Sequence, residues 1–149
     1  MLLSSLMLFV AATEPVGKNE TAPVKQDAFA GRENGTIAFA SQIDGFSVKR
    51  EGHDDILYLN TGLGRWYRAP LNCFGMGDPS SAIGIIPYDY HGGSIDKFSR
   101  FKLLGIDRMD KNECTISALI ELTPQETVTF GLESQKQVDA RLAKAKPKN

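Results

Sequence analysis

The chain is predicted to be mainly β: a six-stranded antiparallel meander curled into a small barrel or sandwich, with a C-terminal helix. Three observations predict this. Between Thr36 and Leu122 apolar residues recur with period two in short runs. Gly, Asn, Asp and Pro separate those runs at short intervals. The strongest helix-start signal, Thr123-Pro124-Gln125-Glu126, comes only after the last run, where it joins an N-cap, a first-turn proline and a capping-box glutamate.

The strands follow in order. Phe46-Ser47-Val48-Lys49-Arg50 alternates, Gly52-His53-Asp54 supplies a turn, and Ile56-Leu57-Tyr58-Leu59 reads as a buried strand. Asn60-Thr61-Gly62-Leu63-Gly64 is a hairpin loop rich in residues that tolerate positive φ. Arg65-Trp66-Tyr67-Arg68-Ala69 returns as the partner strand, and Pro70, which lacks a ladder donor, is expected to end it. After a loop over Asn72 to Ser81, Ala82 to Tyr88 is the next strand, and Pro87 marks it as an edge. His91-Gly92-Gly93 turns the chain, Lys97 to Leu104 runs back, and Ile106 to Glu113 is a polar loop. Cys114 to Leu122 closes the set, with Cys114, Ile116, Ala118, Ile120 and Leu122 on a core face and Thr115, Ser117 and Glu121 on a wet one. Such a meander must curl, or cover one face with a helix, to manage its edges. Val128, Leu132, Val138 and Leu142 fit a helical stripe only in part, and Gly131 interrupts it.

The 149 residues suit one domain, over 36–122, with tails. Residues 1–12, MLLSSLMLFVAA, form an apolar run too short to span a bilayer, and Val10 and Ala12 fit a cleavage rule that cuts before Thr13. This is the expected signal peptide, although no Lys or Arg precedes the run. Residues 13–35 hold almost no large apolar side chain beyond Phe29 and are expected to form a disordered leader. Residues 123–149 form the C-terminal helix and a basic tail. From Ser134 onward five cations stand against Asp139, a net +4 on a body of −5. A solvated helix end, where cations complement the macrodipole, is the simpler reading of that tail than a lipid- or nucleic-acid-binding one. The net charge of −1 removes the bulk attraction of a non-specific nucleic-acid binder, so no nucleic-acid partner is expected.

Cys73 and Cys114 are the only cysteines. In an exported chain an even pair is expected to be bonded, a closure worth roughly 4 kcal/mol in the chain-entropy model. In a reducing compartment both would be buried free thiols. A metal site would need further ligands, and His53 and His91 complete no recognisable spacing.

Several stretches resemble a family of small, often exported bacterial proteins of unknown function. They are Ile37-Ala38-Phe39, Ile43-Asp44-Gly45-Phe46, Asp55-Ile56-Leu57-Tyr58-Leu59 and Gly64-Arg65-Trp66-Tyr67-Arg68-Ala69-Pro70-Leu71. The resemblance continues through Cys73, Ala82-Ile83-Gly84, Ser94-Ile95-Asp96-Lys97-Phe98 and Cys114-Thr115-Ile116-Ser117. It implies a periplasmic or secreted location but no activity. It also implies two independent bridges in relatives, one of them absent here, where Thr36 and the residues around Ser94 stand at the extra cysteine places.

The motifs with chemical content are few. His53-Asp54-Asp55, and His91 near Asp89 and Asp96, pair imidazoles with carboxylates, the ingredients of a general acid–base site. Both histidines fall in turns, where His, Asp and Gly are common for backbone reasons. Gly62-Leu63-Gly64 and Gly75-Met76-Gly77 are fragments of phosphate-binding loops without the strand and helix such loops need, and no cofactor motif appears. Arg65-Trp66-Tyr67-Arg68 and Arg100-Phe101-Lys102 mix cations with aromatics. Trp66, Arg68 and Arg100 are the candidate ligand-binding residues, a ring to stack on and guanidinium groups to meet an anion. Against this, arginine stems routinely cover apolar sheet surface. The expected function is therefore a non-enzymatic periplasmic binding or interaction module, with an envelope protein or a small anionic ligand as partner. The alternative is a small hydrolase-like enzyme using His53 or His91 with neighbouring aspartates.

Overall fold

The computed structural model describes residues 26–62, 64–74, 78–88, 93–105 and 113–145. The expected signal peptide, the first half of the leader, His91 and the last four residues lie outside these. The strands are β1 (Ile43–Glu51), β2 (Asp54–Thr61), β3 (Arg65–Cys73), β4 (Gly84–Pro87), β5 (Arg100–Leu104), β6 (Glu113–Ile116) and the short β7 (Ile120–Glu121). Two helices follow, α1 (Pro124–Thr129) and α2 (Gln135–Ala145). The sheet order is β1-β2-β3-β6-β5-β4, antiparallel at every step, and β7 pairs with β3 beyond the end of β6. The sheet rolls into a nearly closed barrel whose two free edges are β1 and β4. The mainly β fold with a C-terminal helix is as the sequence predicts.

Local sequence explains the first two hairpins. Glu51 pairs with Asp54 across a two-residue loop, with Gly52 at φ +63° in its first position, the pattern of a type II′ turn. Thr61 pairs with Arg65 across three residues, and Gly64 at φ +70° returns its N–H to the Thr61 carbonyl at 2.8 Å. Both loops match the right-handed twist of the strands they join.

The sheet is buried on both faces along β2 and β3. Leu57, Leu59, Tyr67, Ala69, Phe101, Leu103, Ile116 and Leu119 fill the barrel. Ile56, Tyr58, Ile120 and Leu122 point outward into a second cluster with Phe29, Trp66, Phe130 and Leu132. Ile56 to Leu59 are therefore buried at four consecutive positions, and α1 with the turn after it covers the outer layer.

Four expectations need correction. Pro70 does not end its strand: β3 runs on to Cys73, with Pro70 paired to Ile56. Its missing N–H falls where the β3–β6 pairing stops at Leu71 and Ile116, and its carbonyl still accepts from Ser117 N–H at 3.0 Å. Cys114 to Leu122 is not one strand. Leu71 pairs with Ile116 but Arg68 with Ile120, so this side carries one extra residue. That bulge moves every later side chain to the opposite face. Leu119 enters the barrel while Ala118, Ile120 and Leu122 join the outer cluster.

The leader also ends earlier than expected. From Gln26 it forms a 3₁₀ turn and a strap over the outer face, with Phe29 buried, Gly35 N–H bonded to the Leu119 carbonyl and Leu119 N–H bonded to Asn34 Oδ1. The strap thus satisfies the backbone freed by the bulge. Finally, strand pairing starts later than predicted, at Gly84 in β4 and Arg100 in β5, the latter preceded by Phe98 at φ +76°. The helix signal holds in detail: Thr123 and Glu126 form the reciprocal capping box. Gly131 at φ +61° then turns the chain, so the helical region is two helices.

Candidate functional site

Trp66 and Arg68 alternate with Tyr67 on β3 and so face outward together, as predicted. Arg68 is only 4% exposed. Its Nη2 donates to Glu51 Oε2 at 2.6 Å, the Tyr58 hydroxyl donates to the other oxygen of that carboxylate, and the Phe29 ring covers the guanidinium at 4.5 Å. These groups come from β1, β2, β3 and the strap. Burial, then the Glu51 carboxylate, push the Tyr58 phenol well above its ordinary pKa, so it stays a donor. Arg68 Nε and the Trp66 indole Nε1 are buried without a hydrogen-bond partner among the described residues.

Beside this cluster a cavity of about 370 Å³ opens between the strap and β3, lined by Arg32, Asn34, Asp54, Arg68, Asn72 and Ser117 among others. Arg32 Nη1 donates to Glu126 at 2.7 Å, and Arg32 Nη2 donates to the Glu121 carbonyl at 2.6 Å.

Arg100 is not part of this arrangement. It pairs with Thr115, which pairs with Asn72, two strands across (about 10 Å) and about 13 Å along from Arg68. There it stacks on Tyr88 at 5.3 Å and lies 3.9 Å from Glu113. Sequence reasoning missed Phe29, Glu51 and Tyr58. Alternation places Tyr58 and Arg68 on one face, but only the pairing of Tyr58 with Arg68 makes them neighbours.

His53 is exposed in the first turn, beside a shallow cavity of about 570 Å³ also lined by Asp54 and Asp55. Arg50 Nε donates to Asp55 at 3.1 Å. Cys73 and Cys114 pair directly across β3 and β6 and are joined in a disulfide.

A further cavity lies at the barrel seam. An apolar cavity of about 510 Å³ separates the edges β1 and β4, lined by Ala40, Ile43, Phe46 and Ile85 with Ser41 and Asp44 at its polar side. The turn at Glu51 and Asp54 fixes which β1 groups point away from β2: those of Phe46, Val48 and Arg50. On β4, Tyr88 N–H bonds the Arg100 carbonyl, so Ile85 and Pro87 turn their backbone groups to the seam. Pro87 has no N–H to offer there, in keeping with the edge position read from the sequence.

Comparison with family models, with curated proteins and with solved structures gives no match for this chain.

Proposed function

We propose that the protein is a non-enzymatic interaction module that takes an extended polypeptide segment into the open seam of its barrel. The observation that carries this reading is the pair of facing edges, β1 and β4, left unjoined over an apolar cavity. Open backbone groups of Phe46, Val48 and Ile85 supply main-chain hydrogen bonds to an added strand, and the cavity receives its alternate apolar side chains. A periplasmic or secreted location is part of the proposal. It is supported by the disulfide, by the leading apolar run, by the resemblance to small exported bacterial proteins, and by the lack, among the described residues, of any helix long and apolar enough to cross a membrane.

The test is an NMR titration of the labelled protein with short peptides that alternate valine and threonine. Amide shifts confined to residues 43–48 and 84–86 are expected. Gly45 lines the cavity and has open space where a side chain would begin, so Gly45→Leu folds normally and blocks the response. Peptide-induced shifts that are absent, or that survive Gly45→Leu unchanged, refute the proposal.

A further inference from the structure

The outer cavity between the strap and β3 is distinct from the seam and shares no lining residue with it. A buried arginine donor without a partner costs on the order of 1–3 kcal/mol, and natural proteins rarely leave one unanswered. Arg68 has such a donor in Nε, and it lines the cavity between the strap and β3. The same wall brings Arg32, Asn34, Asn72 and Ser117, all able to donate hydrogen bonds. Asn34 spends its oxygen on Leu119 N–H, which points its chemistry toward donation through the amide nitrogen. Phe29, Pro70 and Ala118 give the cavity an apolar side.

We propose that this cavity binds a small organic acid through a single carboxylate, with Arg68 as the anchor. A planar guanidinium matches a planar carboxylate, whose oxygens would take the donors that Glu51 leaves unused. The apolar side receives the organic body, and about 370 Å³ suits a molecule of roughly ten non-hydrogen atoms. Charge limits the ligand further. Glu51 and Glu126 already pair Arg68 and Arg32, and Asp54 is the one carboxylate among the described lining residues. With each guanidinium already facing one carboxylate, little positive charge is left for a second acid group, so the site favours monocarboxylates over diacids.

The experiment is an NMR titration of the full chain that follows the Arg68 side-chain Nε–Hε resonance, with benzoate as the probe. Benzamide, its neutral counterpart, and inorganic phosphate are the controls. Benzoate at millimolar concentration is expected to shift that resonance and slow its exchange with water, and benzamide is expected to leave it in place. Asn72 is exposed, so Asn72→Asp keeps the fold and is expected to weaken benzoate binding about tenfold by adding a like charge. An unmoved Nε resonance overturns the proposal, as does an equal response to benzamide. A response to phosphate as strong as that to benzoate overturns the carboxylate assignment. Residues 43–48 report the seam separately, so either reading fails without the other.

Discussion

The Arg68 guanidinium lies 4.5 Å from the centre of the Phe29 ring, joining the middle of the sheet to the strap that precedes it. Phe29 also meets Phe130 at 5.9 Å, so one side chain ties strap, sheet and the end of α1 together. Phe29→Ala is expected to cost about 3 kcal/mol, the low end for a buried phenylalanine because the site is at the rim of its cluster. Phe29→Leu restores most of the packing but not the cation–π contact, worth about 1–2 kcal/mol when desolvated. Urea denaturation midpoints of the two variants check both values.

Glu51 is the partner that makes a buried Arg68 tolerable. Glu51→Leu leaves that charge uncompensated and is expected to cost about 3–5 kcal/mol. Joining Arg68→Met to it removes the stranded charge, so the double variant is expected to be more stable than Glu51→Leu alone. Equilibrium unfolding of the parent, Glu51→Leu, Arg68→Met and the double variant measures the coupling, and simple additivity would disprove it.

The disulfide fixes the register of β3 against β6 at the end of both strands. Replacing Cys73 and Cys114 together by serine is expected to lower stability by about 4 kcal/mol, for a closed loop with a sequence separation of 41. The comparison is made by denaturation with and without reductant. Only the parent protein should respond to reductant, and intact mass under non-reducing conditions should show both thiols consumed.

Acid acts on the strap through Glu126. Burial pushes this carboxyl up, but the Thr123 N–H and Arg32 outweigh burial and hold its pKa below the ordinary 4.5. A depressed native pKa means that the unfolded chain takes up the proton first. The contribution is therefore complete above the unfolded value and is lost as pH falls through the native one. The stability gap between parent and Glu126→Gln is expected to be constant at neutral pH and to shrink below 4.5, as followed by Trp66 fluorescence during denaturation.

Much of this fold is legible from local chemistry. Gly52 and Gly64 set the hairpins, Thr123 and Glu126 start the helix, and period-two patterning identifies β1 to β3. What resists reading is decided by distant partners. Pro70 stays in its strand only because Ser117 to Leu119 break the opposing ladder, and nothing near Pro70 in sequence announces that. The bulge that reverses Ala118 and Ile120 is hidden because an apolar residue is acceptable on either face once the outer face is covered too. Phe29 looks isolated among polar neighbours, yet its partners are Arg68 and Phe130. For the candidate site, alternation correctly joins Trp66 with Arg68, whereas Arg100 required knowledge of which strands sit side by side.

The parity of the sheet has a consequence for anything that enters the seam. With six strands alternating in direction, β1 and β4 run opposite ways, so a single guest can be antiparallel to one and must be parallel to the other. The parallel flank gives the slightly weaker ladder per residue, so the long β1 is the better antiparallel host. Such a guest is gripped unequally, more firmly by one flank than by the other.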